Sequence, residues 1–276
     1  MSATVAFKVP TAQGPQSVTV SYTRKGRGEP LLLLHGIGHH RQAWDPIVDI
    51  LATERDVIAV DLPGFGVSPG LPDGLAYDLP TTTSVFGAFC EAMELDRPHV
   101  AGNSLGGLLA LELGRERLVR SVTALSPAGF WSQAERRYAF GVLLAMRRIA
   151  ERMPLPVVEQ LARTAVGRAA LTSTIYARPT RRSPEAVVAE TLALARATGF
   201  TETLRAGSAV QFTDDVPGIP VTLAWGTKDR LLIRRQGVRA KQIIPRARLV
   251  RLPGCGHCPM NDDPALVSRV ILDGSR

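Results

Sequence analysis

The sequence predicts an α/β protein with a doubly wound, mostly parallel sheet and a helical insertion, on three observations. Short apolar runs alternate with segments of helical periodicity from Val18 to Leu125. From about Phe130 to Phe212 only helical patterns appear, broken at Pro154, Pro156, Pro179 and Pro184. Strand and helix then alternate again from Val221 to Leu272. Parallel neighbours need long crossover connections, which helices supply, so this order of elements implies a parallel sheet.

Each element follows from its residues. Val18–Tyr22 alternates as a strand, and Pro30–His35 is a buried apolar run. Ala43–Leu51 reads as a helix whose apolar face is Trp44, Ile47, Ile50 and Leu51. Val57–Asp61 is a short buried strand, and Thr81–Leu95 a helix with Val85, Phe86, Phe89 and Met93 at helical spacing. His99–Asn103 is the next strand, Leu105–Leu113 the helix leaving it, and Val122–Leu125 another strand. After the helical insertion come Val221–Trp225, a helix over Arg235–Ile244, a strand over Ala247–Leu252 and a last helix over Asp263–Leu272. Residues 1–129 and 213–276 are thus expected to form one core, and residues 130–212 a helical cap over the carboxyl ends of its strands, where open sheets of this kind bind ligands.

Composition narrows the function classes. At 276 residues, with 45% hydrophobic residues, the chain can bury one large core. No apolar run approaches the ~20 residues of a membrane span. Met1-Ser2-Ala3-Thr4 lacks the basic and apolar regions of a signal peptide, and three cysteines do not make a disulfide framework, so a cytoplasmic protein is expected. The net charge of +8 owes much to residues 130–205, with twelve Arg, no Lys and six Glu. These arginines are spread along helical segments without interleaved aromatics, which reads as a solvated basic surface and not a nucleic-acid site.

Gly102-Asn103-Ser104-Leu105-Gly106 is the stretch that carries chemistry. A strand enters it and an apolar helix leaves it. Such a sharp turn lifts the serine Oγ above the sheet edge and aims the next residue's backbone N–H, that of Leu105, at a reacting carbonyl. Gly66-Val67-Ser68-Pro69-Gly70 has the same pattern, but Pro69 has no N–H to donate and turn residues follow it. Ser104 is therefore the candidate nucleophile and Ser68 a loop residue.

A nucleophilic serine needs a base, and the base an orienting carboxylate. Of five histidines, His99 begins a strand and His35 ends one, both structural positions, and His39 and His40 read as surface loop histidines. His257 lies in a Gly/Cys/Pro loop between a strand and the last helix, a place from which an imidazole reaches the sheet edge. Asp229 follows the strand ending in Trp225-Gly226, whereas Asp214 and Asp215 precede it, at the wrong end. Cys255 and Cys258 make a C-x-x-C around that histidine, but no second pair completes a tetrahedral metal site.

Five stretches in order carry a family resemblance: Leu34-His35-Gly36-Ile37-Gly38, Asp61-Leu62-Pro63-Gly64-Phe65-Gly66, the Ser104 turn, Trp225-Gly226-Thr227-Lys228-Asp229, and Gly254-Cys255-Gly256-His257. With them the chain resembles the serine-nucleophile α/β-hydrolases over essentially its whole length, with a cap inserted after the sixth core strand. The resemblance implies a triad of Ser104, Asp229 and His257 in that family's chain order, and an oxyanion hole from the Ile37 and Leu105 backbone N–H groups. It implies no cofactor and no metal. Some members place the acid one strand earlier, where this chain reads Ser126-Pro127-Ala128-Gly129 and offers no carboxylate.

The expected activity is hydrolysis of a carboxylic ester or related activated acyl compound. The expected partner is a small molecule with an apolar portion, suggested by Phe130, Trp131, Phe140, Leu143, Leu144 and Met146. Members with an aspartate nucleophile are set aside by Ser104. Carbon–carbon bond hydrolases of ring-cleavage products are the alternative enzyme: Gly102-Asn103-Ser104 resembles their turn, while Leu105 stands where they usually carry methionine. A non-catalytic ligand-binding protein on the same fold is the alternative of a different class. Lactone and peracid chemistry stay open, as does the oligomeric state.

Overall fold

The computed structural model describes residues 2–12 and 14–276; Met1, part of the N-terminal stretch read above, lies outside them. The described residues hold an eight-stranded sheet. In chain order its strands are β1 (Ser2–Val9), β2 (Gln16–Gly26), β3 (Pro30–Leu34), β4 (Asp56–Val60), β5 (His99–Asn103), β6 (Ser121–Leu125), β7 (Val221–Gly226) and β8 (Arg248–Leu252). Their spatial order is β1-β2-β4-β3-β5-β6-β7-β8. β1 and β2 pair antiparallel and β2 joins β4 antiparallel; every later pairing is parallel.

Side chains alternate across each strand and fill two cores. Leu32, Leu34, Ile58, Val60 and Val100 face one core. Leu31, Leu33, Val57, Ala59 and Ala101 face the other. Helices α1 (Asp45–Leu51) and α11 (Pro264–Gly274) close the second core. Helices α2 (Leu79–Ala92), α3 (Leu105–Arg115) and α9 (Arg235–Ile243) close the first. Burial on both faces is why β3, β4 and β7 read as largely apolar runs, whereas β8 at the sheet edge is mostly exposed.

Between β6 and β7 lie α4 (Gln133–Arg152), α5 (Leu155–Arg163), α6 (Ala165–Thr172), α7 (Pro184–Arg196) and α8 (Phe200–Gly207), with no strand among the described residues there. Local chemistry starts them. Ser132 and Glu135 form a reciprocal capping box at α4, and the Thr164 and Ser183 side chains cap α6 and α7. A one-turn helix, α10 (Pro259–Asp262), precedes α11.

Three expectations need correction. The Ala43–Leu51 helix is a 3₁₀ turn over Arg41–Trp44 followed by α1, and Ile50 is 40% exposed. Pro46 at the start of α1 suits a fresh helix start and not a helix interior. The arginines of the insertion are not all solvated: Arg182 is buried against Glu190, and the Arg147 guanidinium lies over the Phe200 ring at 5.5 Å. Leu144 is 36% exposed, unlike its neighbours in the apolar set named above.

Candidate active site

The sheet reverses its strand order at β3, which lies between β4 and β5. Loops leaving β3 and β5 therefore diverge, and the crevice between them is the ligand position of open α/β sheets. The Gly36–Gly38 loop leaves β3 and Ser104 leaves β5.

Ser104 sits at φ 57° and ψ −114°, a conformation that L-residues seldom adopt, in the single residue between β5 and α3. The turn works because the backbones nearly touch. A Cβ on Gly102 would lie 2.0 Å from the Gly106 oxygen, and one on Gly106 would lie 2.0 Å from the Leu34 oxygen. Only glycine fits either place. The Ser104 N–H donates to the Leu125 oxygen at 3.0 Å, and its own oxygen accepts the first α3 bond, from Leu108 at 3.0 Å. The Leu105 N–H, in the first turn, has no intrahelical acceptor and carries the positive end of the helix dipole.

The loop after β3 presses on the same serine. A Cβ on Gly36 would come within 3.2 Å of the Ser104 Cβ. The turn is closed by the His39 N–H donating to the Gly36 oxygen at 3.2 Å, which does not use the Ile37 N–H. His35 holds this loop to the next: its Nδ1 meets the Gly36 oxygen at 2.7 Å, and its Nε2 accepts from the Leu62 N–H at 3.0 Å. That second bond makes Nδ1 the protonated nitrogen.

His257 is buried, and its Nδ1 lies 2.9 Å from Asp229 Oδ2. The other carboxylate oxygen accepts from the Leu231 and Leu232 N–H groups at 2.9 and 2.8 Å. An ionised carboxylate only accepts, so Nδ1 carries the proton and Nε2 is left with a free lone pair. Ser104 and His257 line one cavity of about 650 Å³ with Ile37. The geometry thus brings together Asp229 with His257, and His257, Ser104 and Ile37 around one cavity.

Several residues of this cavity were not among the expected ones. Asn103 donates from Nδ2 to the Leu125 oxygen at 3.0 Å and to the His257 oxygen at 2.9 Å, and accepts from the Cys258 thiol at 3.3 Å. Its place next to the candidate nucleophile was the only available signal. Burial pushes the Cys258 thiol well above its usual range, and the Cys255 thiol up to about 12. Both stay protonated, and among the described residues no cluster of three ligating side chains could hold a metal.

His39 and His40 are not surface histidines. His39 lines the cavity, and its Nε2 is 3.2 Å from the Tyr176 hydroxyl. The hydroxyl donates to Glu190 Oε1 at 3.0 Å, and the Arg182 Nε donates to the same oxygen at 2.7 Å. Burial raises the Glu190 carboxyl and lowers the His39 imidazole well below its ordinary range. His40 stacks on His39 with ring centroids 5.4 Å apart, and burial lowers its imidazole to about 4. Asp262, fully buried, binds the histidine loop to the helical insertion. Its carboxylate accepts from the N–H groups of Gly256 at 2.7 Å, Ala177 at 3.0 Å and Arg178 at 2.7 Å.

Elsewhere, Ser68 accepts from the Ser21 N–H and donates to the Asp61 oxygen, so it serves loop structure. His99 bridges Ser121 and Glu29 at the far end of β5.

A fold of this topology with a strained serine between β5 and α3 defines a hydrolase class, and the comparisons agree. The model of the alpha/beta hydrolase family matches residues 31–270, and the chain belongs to that family. An uncharacterized protein of Mycobacterium tuberculosis is 30% identical over 255 residues, 87% of this chain and 73% of its own. A pimeloyl-[acyl-carrier protein] methyl ester esterase of Aeromonas hydrophila is 39% identical over 121 residues, 43% of this chain and 46% of its own. Among solved structures, a thermophilic esterase from Thermogutta terrifontis superposes with a TM-score of 0.76 at 20% identity, over 98% of this chain and 97% of its own. Among the described residues no helix is long and apolar enough to cross a membrane.

Proposed function

We propose that the protein is a serine hydrolase of carboxylic esters, with Ser104 as nucleophile, His257 as general base and acid, and Asp229 as the group that fixes the imidazole tautomer. The observation that carries this reading is a serine at positive φ sharing a cavity with a buried histidine whose Nδ1 is 2.9 Å from a buried carboxylate. In the first half-reaction Ser104 Oγ bonds to the ester carbonyl carbon while His257 Nε2 takes the hydroxyl proton. The carbonyl oxygen becomes an oxyanion held by the Ile37 and Leu105 N–H groups. Collapse breaks the bond to the alkoxy oxygen, which leaves as alcohol with the proton from Nε2. Water, deprotonated by the same nitrogen, then attacks the acyl-enzyme; the acid departs and Ser104 recovers its proton. Residues 130–212 act as the cap over this site, and residues 1–129 and 213–276 as the catalytic core.

A fluorophosphonate probe tests the assignment. Wild-type protein should be labelled and Ser104→Ala should not. Absence of label on folded wild-type protein would instead favour the ligand-binding alternative.

A further inference from the structure

The leaving oxygen receives its proton from His257, so the alcohol must lie on the imidazole side of Ser104 and the acyl chain on the other. The cavity that His257 lines also holds His39 and Glu190. Ser104 lines a second space of about 480 Å³ as well, which His257 does not line and which Leu108, Trp131, Phe140 and Leu204 do. A third cavity of about 590 Å³ shares Leu105, Leu108, Thr203, Gly207 and Val210 with it. The third cavity runs between α8 and the start of α2, past Phe65 and Val85. Leu71, Asp78, Leu79, Thr82 and Ala206 on its outer rim are all partly exposed, so it opens to solvent.

From this adjacency we infer that the two spaces form one channel and that the acyl portion of the substrate is a long unbranched hydrocarbon chain, threaded from Ser104 past Leu108 and under α8 to a second mouth beside the N-terminus of α2. This rests on the ester-hydrolase reading above, which fixes the side on which the acyl group lies. The inner space is lined almost wholly by apolar groups and the outer one mostly so, with Tyr77, Asp78 and Thr82 as its polar exceptions besides Thr203, so each methylene drawn in leaves water. Because the channel's far end is open, the chain meets no wall that would set a maximum length. Thr203 Oγ1 has no hydrogen-bond partner among the described residues, and a hydrocarbon offers it none, so this hydroxyl adds nothing to selection for a saturated chain.

Gly207 lines both spaces. A Cβ there would meet only Phe140 Cζ, at an ordinary 3.6 Å, so a larger side chain fits the helix and fills the passage. Ala206 lines only the outer cavity.

The test compares kcat/KM for p-nitrophenyl butyrate, octanoate and palmitate, together with calorimetric binding of the matching free fatty acids to Ser104→Ala. Fatty-acid affinity should tighten about two- to fourfold per added methylene. Gly207→Phe should cut the octanoate-to-butyrate ratio at least tenfold, and Ala206→Trp should cut the palmitate-to-octanoate ratio, with thermal melts establishing that both fold. Affinity that stops growing beyond butyrate, or ratios indifferent to both substitutions, would overturn the channel. Graded fatty-acid binding without turnover of any ester would keep the channel and overturn the hydrolase reading.

Discussion

Asn103 donates from Nδ2 to the backbone oxygen of His257 at 2.9 Å, so the residue before Ser104 also holds the loop of His257. The same amide accepts the Cys258 thiol on the other side of that histidine. In the proposed mechanism Asn103 is thus a positioning residue, tying the His257 loop to the turn that carries Ser104. Asn103→Ala should lower kcat on the order of tenfold to a hundredfold, the usual result of a small misplacement, with KM little changed. A stopped-flow burst assay, which separates acylation from product release, checks this. A rise in KM with kcat preserved would count against it.

Asp229→Asn should keep the fold yet lose about 10⁴ in kcat. An amide facing Nδ1 can donate and so favours the wrong imidazole tautomer. Proton NMR of the buried Nδ1–H in the two proteins would follow the tautomer independently of rate.

The proposed oxyanion donors are backbone groups, which separates side chain from function. Ile37→Ala should change kcat/KM only modestly, through lost packing in the cavity. Ile37→Pro removes the N–H and should cost about 10² to 10³ in kcat. Equal losses in the two variants would remove Ile37 from the proposed oxyanion hole.

Glu190 and Arg182 form a buried pair across the start of α7, and a lone charge there is costly. Arg182→Met should destabilise the protein by about 3 kcal/mol. The Glu190 carboxyl is already raised from 4.5 by burial, and losing the cation raises it further. A group whose folded pKa is raised loses stability as pH climbs, so the deficit should grow between pH 4.5 and neutrality. Urea midpoints at acid and neutral pH would measure that growth.

His40 works in the opposite direction. Its imidazole falls from 6.5 to about 4 in the fold, so the unfolded chain binds a proton that the native state does not. Stability should therefore rise as pH increases from 4 to 6.5, and His40→Gln should flatten that rise by on the order of 2–3 kcal/mol. His35 and His39 are depressed by burial as well and should keep part of the slope in the variant.

How far the sequence discloses this molecule depends on where the information resides. The central parallel strands β3, β4 and β7 were legible because burial on both faces writes them as apolar runs. β1 was missed: at the sheet edge it buries Phe7 and Val9 and exposes most of the rest, so its pattern is weak. The residues proposed for catalysis stand in short local motifs, each on a turn with its own glycines. The cluster of His39, Tyr176, Arg182 and Glu190 has no such motif. Four residues from separate segments meet only through the packing of α6 and α7 over the β3 loop, and a polar residue in an amphipathic helix looks the same facing a cavity as facing water. Asn103 lies between these cases, adjacent to a motif but with partners that only the tertiary fold supplies.

The carboxylate of Asp262 has one further consequence. By gripping Ala177 and Arg178 as well as Gly256, it makes the helical insertion and the loop of His257 a single piece at that corner. With His257 as the base, as proposed, a substitution that moves residues 177 and 178 also moves the base. Reshaping the insertion at this corner then changes turnover together with selectivity.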